Sequence, residues 1–168
     1  EQKLKSRLPE LQVEYSPETG VPEVIGPDIR SGKAAIEYVK GSDRVETLRG
    51  FLRSNKDLLG VPDRQVDDLV AVADYTNPAG NMSWVILEQK IDSIPVFRGE
   101  VVAGFGKDGS LARVVNGLAA GVDPATASRE FRDPRSAVEA AAGHIGHQLR
   151  PFETELNAKS SEPDRAVF

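Results

Sequence analysis

Trp84-Val-Ile-Leu-Glu-Gln-Lys-Ile-Asp-Ser-Ile-Pro-Val-Phe-Arg-Gly-Glu100 is dense in β-branched and aromatic residues and is interrupted only by Asp92-Ser93. That composition reads as two strands joined by a two-residue connection. Working outward, Met82 to Ile91 is one strand and Ile94 to Phe105 the next. Pro95, near the start of the second, marks an edge or bulge position because it lacks an N–H for the ladder. Lys107-Asp-Gly-Ser110 is a hairpin turn, since Asp-Gly tolerates the positive φ such turns demand. Leu111 to Leu118 then forms a strand, and on the other side Leu69 to Tyr75 forms one, linked through the turn Asn77-Pro-Ala-Gly-Asn81. Four strands with short connections predict an antiparallel meander.

A helix precedes this sheet. Asp43-Arg-Val-Glu46 has the spacing of a capping box. Val45, Leu48 and Leu52 share one face, with Phe51 beside them, so an amphipathic helix is predicted from Asp43 to Asn55. Laid across the sheet, it would bury its apolar side. A shorter helix is predicted over Ser31–Val39 before Gly41. Residues 1–30 carry Pro9, Pro17, Pro22, Pro27, Gly20 and Gly26, which predicts an extended arm with no stable helix. The pair Val24-Ile25 is apolar enough to dock on the body. After a connector, Asp133-Pro134 starts another helix, with Asp133 as cap and Val138, Ala141, Ala142 and Ile145 as its apolar face. Beyond Pro151 the chain turns polar and reads as a flexible tail over 151–168. The predicted class is α+β, a four-stranded antiparallel meander against an amphipathic helix with an extended N-terminal arm.

Composition removes several functions. The chain has 168 residues, 21 Lys+Arg and 26 Asp+Glu, for a net charge of −5. Such a mildly acidic chain carries no electrostatic footprint for nucleic acid or an anionic membrane. No apolar run reaches the roughly 20 residues of a membrane span. Cysteine is absent, which excludes disulfides, Cys-ligated zinc and thiol catalysis. Gly104-Phe-Gly-Lys-Asp-Gly109 matches a dinucleotide fingerprint as a string, but strand residues follow it where a helix is required. His144 and His147 could face one metal, but no cysteine is near and only Glu139 and Glu153 could join them, so they read as helix-end histidines that cap carbonyls or face solvent. There is no H-E-x-x-H and no Gly-x-Ser-x-Gly elbow. Asn81-Met-Ser83 has the form of a glycosylation acceptor. No catalytic, cofactor or metal site emerges. Glu88, Gln89, Arg98 and Glu100 lie near the Asp92-Ser93 turn, where cross-strand pairing would gather some of them.

The block Leu87-Glu-Gln-Lys-Ile-Asp-Ser-Ile-Pro-Val-Phe-Arg-Gly-Glu100, the Lys107-Asp-Gly109 hairpin and the Asn116-Gly-Leu118 close follow one another as in the propeptide (FTP) domain of fungalysin- and thermolysin-type metalloproteases. Leu48-Arg-Gly-Phe-Leu-Arg-Ser-Asn-Lys-Asp-Leu-Leu-Gly60 resembles the helix ahead of that family's sheet. The likeness covers about residues 42–120 and is nearer the fungalysin branch. Asp133 to Ile145 resembles the opening helix of a PepSY-like segment. The strands that would follow it are not in the sequence, so the chain reads as cut short. Ser93 stands where the family usually has Gly.

The resemblance divides the chain into an arm (1–30), an FTP-like domain (31–120), a connector with the PepSY-like helix (121–150) and a tail (151–168). It implies a non-catalytic propeptide of a secreted or periplasmic zinc metalloprotease. Such a domain acts as intramolecular chaperone and inhibitor. Its partner would be the cognate catalytic domain downstream in the same precursor, with no cofactor of its own. Gln89, Arg98 and Glu100 are the candidate contacts. The alternative is a free-standing secreted or periplasmic protease-inhibitor or binding module, with no downstream catalytic domain.

Overall fold

The structure is a computed structural model that describes residues 11–28, 30, 35–36, 43–122, 125–126, 130, 133–161 and 166–167. The chain forms two compact units, residues 1–124 and 125–168.

The first unit is α+β, built on one antiparallel sheet. Its strands are β1 (Leu11–Tyr15), β2 (Pro22–Pro27), β3 (Val70–Thr76), β4 (Met82–Ile91), β5 (Ile94–Gly106) and β6 (Leu111–Asn116), in the spatial order β1-β2-β6-β5-β4-β3. The stretch β3 to β6 is the meander that the runs of β-branched and aromatic residues and the turn residues predict. The sheet nevertheless has six strands and not four, which corrects the predicted fold. The two added strands come from the N-terminal arm. Residues 11–15 and 22–27 make a hairpin whose second strand pairs with β6 through Val24↔Val115 and Ile25↔Val114. Proline does not prevent this, because Pro22 and Pro27 sit at the ends of β2, where a missing donor is tolerated. Ile25 is fully buried, and the buried Asn116 side chain donates to the Pro22 carbonyl at 2.9 Å. Those two contacts anchor the hairpin.

Among the described residues of this unit, three helices accompany the sheet: α1 (Arg44–Ser54), α2 (Lys56–Leu59) and α3 (Asp63–Asp67). Asp43 caps α1 as its spacing predicts, accepting from the Glu46 N–H at 2.7 Å. Thr47, Leu48, Phe51 and Leu52 are the buried face of α1, which packs on β3 and β4. Val45 is only partly buried against the core. The helix predicted over Ser31–Val39 lies outside the described residues except for Ala35 and Ile36. The Ile36 side chain is in the core, and its N–H donates to the Leu111 carbonyl.

The core is formed by alternate strand residues, among them Val85, Leu87, Val101, Ala103, Phe105 and Val114, against Leu48, Leu52, Leu59, Val61 and Val66 of the helical side. Arg44 at the start of α1 pairs with Asp74 of β3 at 2.6 Å and donates to Ser83 of β4, fixing the helix over that edge. The opposite sheet face carries Trp84, Ile86 and Val102, half-buried, and the more exposed Tyr75 and Val115.

In the second unit, α4 spans Pro134–His144 with Asp133 as its cap, as the Asp-Pro signal predicts. Its predicted apolar face is not a buried one. Only Ala142 is buried, and Ile145 is 77% exposed. Ile145 is the residue that ends the helix, so it leaves the face that periodicity assigns it. Where the sequence reads as flexible tail, the described residues include a 3-10 turn at Pro151–Thr154. The Asn157 N–H also donates to the Val167 carbonyl. The Arg150 N–H and guanidinium hold the Glu153 carboxyl below its ordinary range.

Candidate functional site

β5 pairs with β6 only over Val101–Phe105, and β3 reaches β4 only as far as Glu88. Beyond those limits β4 and β5 pair with each other alone. Residues 89–100 therefore form a two-stranded finger projecting from one end of the sheet. An isolated two-stranded hairpin is marginal in water, so this one needs bracing.

At its tip, Asp92 and Ser93 have φ of 49° and 72°. Both central residues are thus left-handed, as a two-residue hairpin turn of the right twist requires, although neither is glycine. Below the tip the ladder breaks. Lys90 faces Pro95 and Glu88 faces Glu100, so β4 supplies one residue, Gln89, where β5 supplies four, Val96 to Gly99. This is a large β-bulge, at the position that Pro95 marks in the sequence. Arg98 has φ of 56°, a third non-glycine residue at positive φ in this hairpin. L-residues pay about 1–2 kcal/mol for that conformation, so neighbouring contacts must hold it.

Those contacts are present. A Cβ on Gly99 would lie 2.6 Å from Cβ of Val96, so the bulge closes only over glycine there. A Cβ on Gly117 would lie 2.6 Å from the Arg98 carbonyl oxygen and 3.1 Å from that of Glu100. The Gly117 N–H donates to the Glu100 carbonyl at 2.8 Å. Gln89, opposite the bulge, is 4% exposed. Its amide donates to the Ala119 carbonyl at 3.2 Å and accepts from the Ala119 N–H at 2.9 Å. The segment 117–119 thus braces the finger from both strands.

The result is an unusual surface. Phe97 is 88% exposed, the most exposed large apolar side chain among the described residues. The Arg98 guanidinium lies 5.5 Å from the Phe97 ring centroid, within cation–π range. Glu100 is exposed and faces Glu88 across the ladder, and Lys90 offsets that like-charge pair by bonding Glu88 at 3.2 Å.

The three residues singled out in the sequence therefore separate. Arg98 and Glu100 are on the surface of the finger. Gln89 is inside it, and its amide is engaged with Ala119, so it positions the finger from within. The residue that sequence reading missed is Phe97. An aromatic in a strand reads as core or cross-strand packing. The available signal was the unequal length of the two strand runs around Asp92-Ser93, which leaves extra residues in the longer one that a bulge can extrude.

Elsewhere, Gly104 and Gly106 of the fingerprint-like string lie in β5 and lead through a hairpin into β6, with no helix following. Among the described residues no group of three His, Asp or Glu side chains is placed to hold a metal. His144 ends α4, and His147 Nε2 lies 3.6 Å from the Glu153 carboxylate. Among the described residues no helix is long and apolar enough to cross a membrane. No known protein-family model matches the chain, and no curated protein matches it either.

Proposed function

We propose that this chain is a non-catalytic propeptide domain of a zinc metalloprotease, working as folding assistant and inhibitor of the catalytic domain of the same precursor. The observation that carries the reading is a coincidence of place. The stretch Ile94–Glu100, which bears the family likeness, is also where the chain holds a left-handed arginine and exposes an aromatic. Strained, exposed positions of that kind cluster at binding sites. Arg98 and Glu100 are the polar contacts, and secretion to the periplasm or medium follows from the same reading.

The physics of the role is linkage. A domain that binds the native catalytic domain lowers its free energy relative to unfolded forms. While tethered it acts at high effective concentration, and cleavage of the tether removes that advantage. The test is direct. The catalytic domain encoded in the same reading frame is expressed separately and refolded or assayed with this chain in excess. Slowed turnover and a higher refolding yield are expected. A reading frame without such a domain, or a chain that changes neither quantity, refutes the proposal.

A further inference from the structure

We infer that Phe97 is the principal anchor of the partner interface and that the bulge presents it in its binding conformation before any partner arrives. The inference rests on the reading of the chain as a propeptide domain and names the chemistry of its docking site. The partner surface is an apolar pocket that accepts a phenyl ring, with a carboxylate at its mouth for Arg98.

Three observations lead there. First, Phe97 is 88% exposed, and the Arg98 guanidinium lies over its ring. A large aromatic so placed contributes little to the fold, and buried aromatics and arginines dominate binding energies at protein interfaces. Second, the shape is fixed by close contacts at two glycines. Gly99 closes the bulge on Val96, and Gly117 seats against the Arg98 carbonyl with no room for a side chain. A pre-shaped anchor avoids the ordering cost that a flexible loop meets on binding. Third, Arg98 is left-handed and directs a cation beside the ring, so a pocket wall carrying a carboxylate gains a charge-assisted contact once desolvated.

The experiment measures inhibition of the cognate metalloprotease catalytic domain, expressed separately, by the full chain and four variants. Phe97→Ala should weaken inhibition about 30-fold or more while leaving the melting temperature unchanged, because the ring is outside the core. Phe97→Trp should retain inhibition within a few-fold. Arg98→Glu should weaken it more than Arg98→Gly, which keeps the left-handed backbone and only removes the cation. If the wild-type chain inhibits and Phe97→Ala inhibits equally well, the anchor is wrong and the propeptide reading stands. If Arg98→Glu equals or exceeds wild type, the carboxylate at the pocket mouth is wrong. If the wild-type chain does not inhibit, the propeptide reading falls and the anchor with it.

Discussion

The two ends of β5 are built differently. At one end, Gly106 to Leu111 turns through a hairpin in which the positive φ, 82°, falls on Gly109. Asp108 caps that turn, accepting from the Ser110 hydroxyl at 2.6 Å and the Ser110 N–H at 3.1 Å. Every unusual requirement there is met by the residue type that meets it at least cost. At the other end, positive φ falls on Asp92, Ser93 and Arg98, and no glycine takes those positions. The glycines nearby, Gly99 and Gly117, are present for close approach instead. One end closes a sheet. The other keeps a shape that local preference disfavours and displays Phe97 on it. Strain retained at one end of a strand whose other end is relaxed is what the proposed docking role of the finger would draw on.

The contrast can be broken by mutation. Gly117→Ala should have the largest effect, about 2–3 kcal/mol of lost stability, because its Cβ would press on the Arg98 carbonyl and the bulge must move. Urea unfolding measures this, and a neutral result would show that the bulge is not clamped from that side. Gln89→Leu comes next at about 1–2 kcal/mol, since it removes both partners of the half-buried Ala119 N–H and carbonyl. Amide exchange at Ala119 should accelerate, and unchanged protection would remove Gln89 from its bracing role. Ser93→Gly should act in the opposite direction, stabilising by about 1 kcal/mol through relief of one left-handed residue. Gly109→Ala, at the relaxed end, should destabilise by about the same amount. Equal signs for those two variants would erase the difference between the ends.

The smallest effect is electrostatic. Hydrogen bonds from the Ser110 hydroxyl and N–H hold the Asp108 carboxyl below its ordinary range. A carboxylate with a lowered folded-state pKa contributes stability that is present above its unfolded value and lost as pH falls through the folded value. Ser110→Ala should bring the Asp108 titration, followed by carboxyl NMR, back up toward the ordinary range. A titration unmoved by that change would assign the shift to another cause.

Local chemistry was legible before the structure. Asp43 reads as a cap, Asp108-Gly109 as a turn, and the strands from Val70 to Asn116 as runs of β-branched and aromatic residues between turns, because each depends on residues a few positions apart. Pro95 even marked the bulge. The N-terminal strands were not legible. Their prolines argue for an arm when read alone, and only the pairing of Ile25 with Val114 turns that arm into sheet. The apolar face of α4 was overread, because periodicity continues through Ile145 while the helix stops before it.

What the sequence by itself determined is therefore the four strands between Val70 and Asn116, the helices that start after Asp43 and Asp133, and their caps and turns, all governed by short-range backbone preference. The tertiary structure alone decided the six-stranded sheet, the inward place of Gln89 and the exposure of Phe97. Each of these depends on residues far apart in the chain meeting in space. Gly117 matters because the Arg98 carbonyl lies against it, and Gln89 because Ala119 lies beside it. No local pattern at either residue records the other.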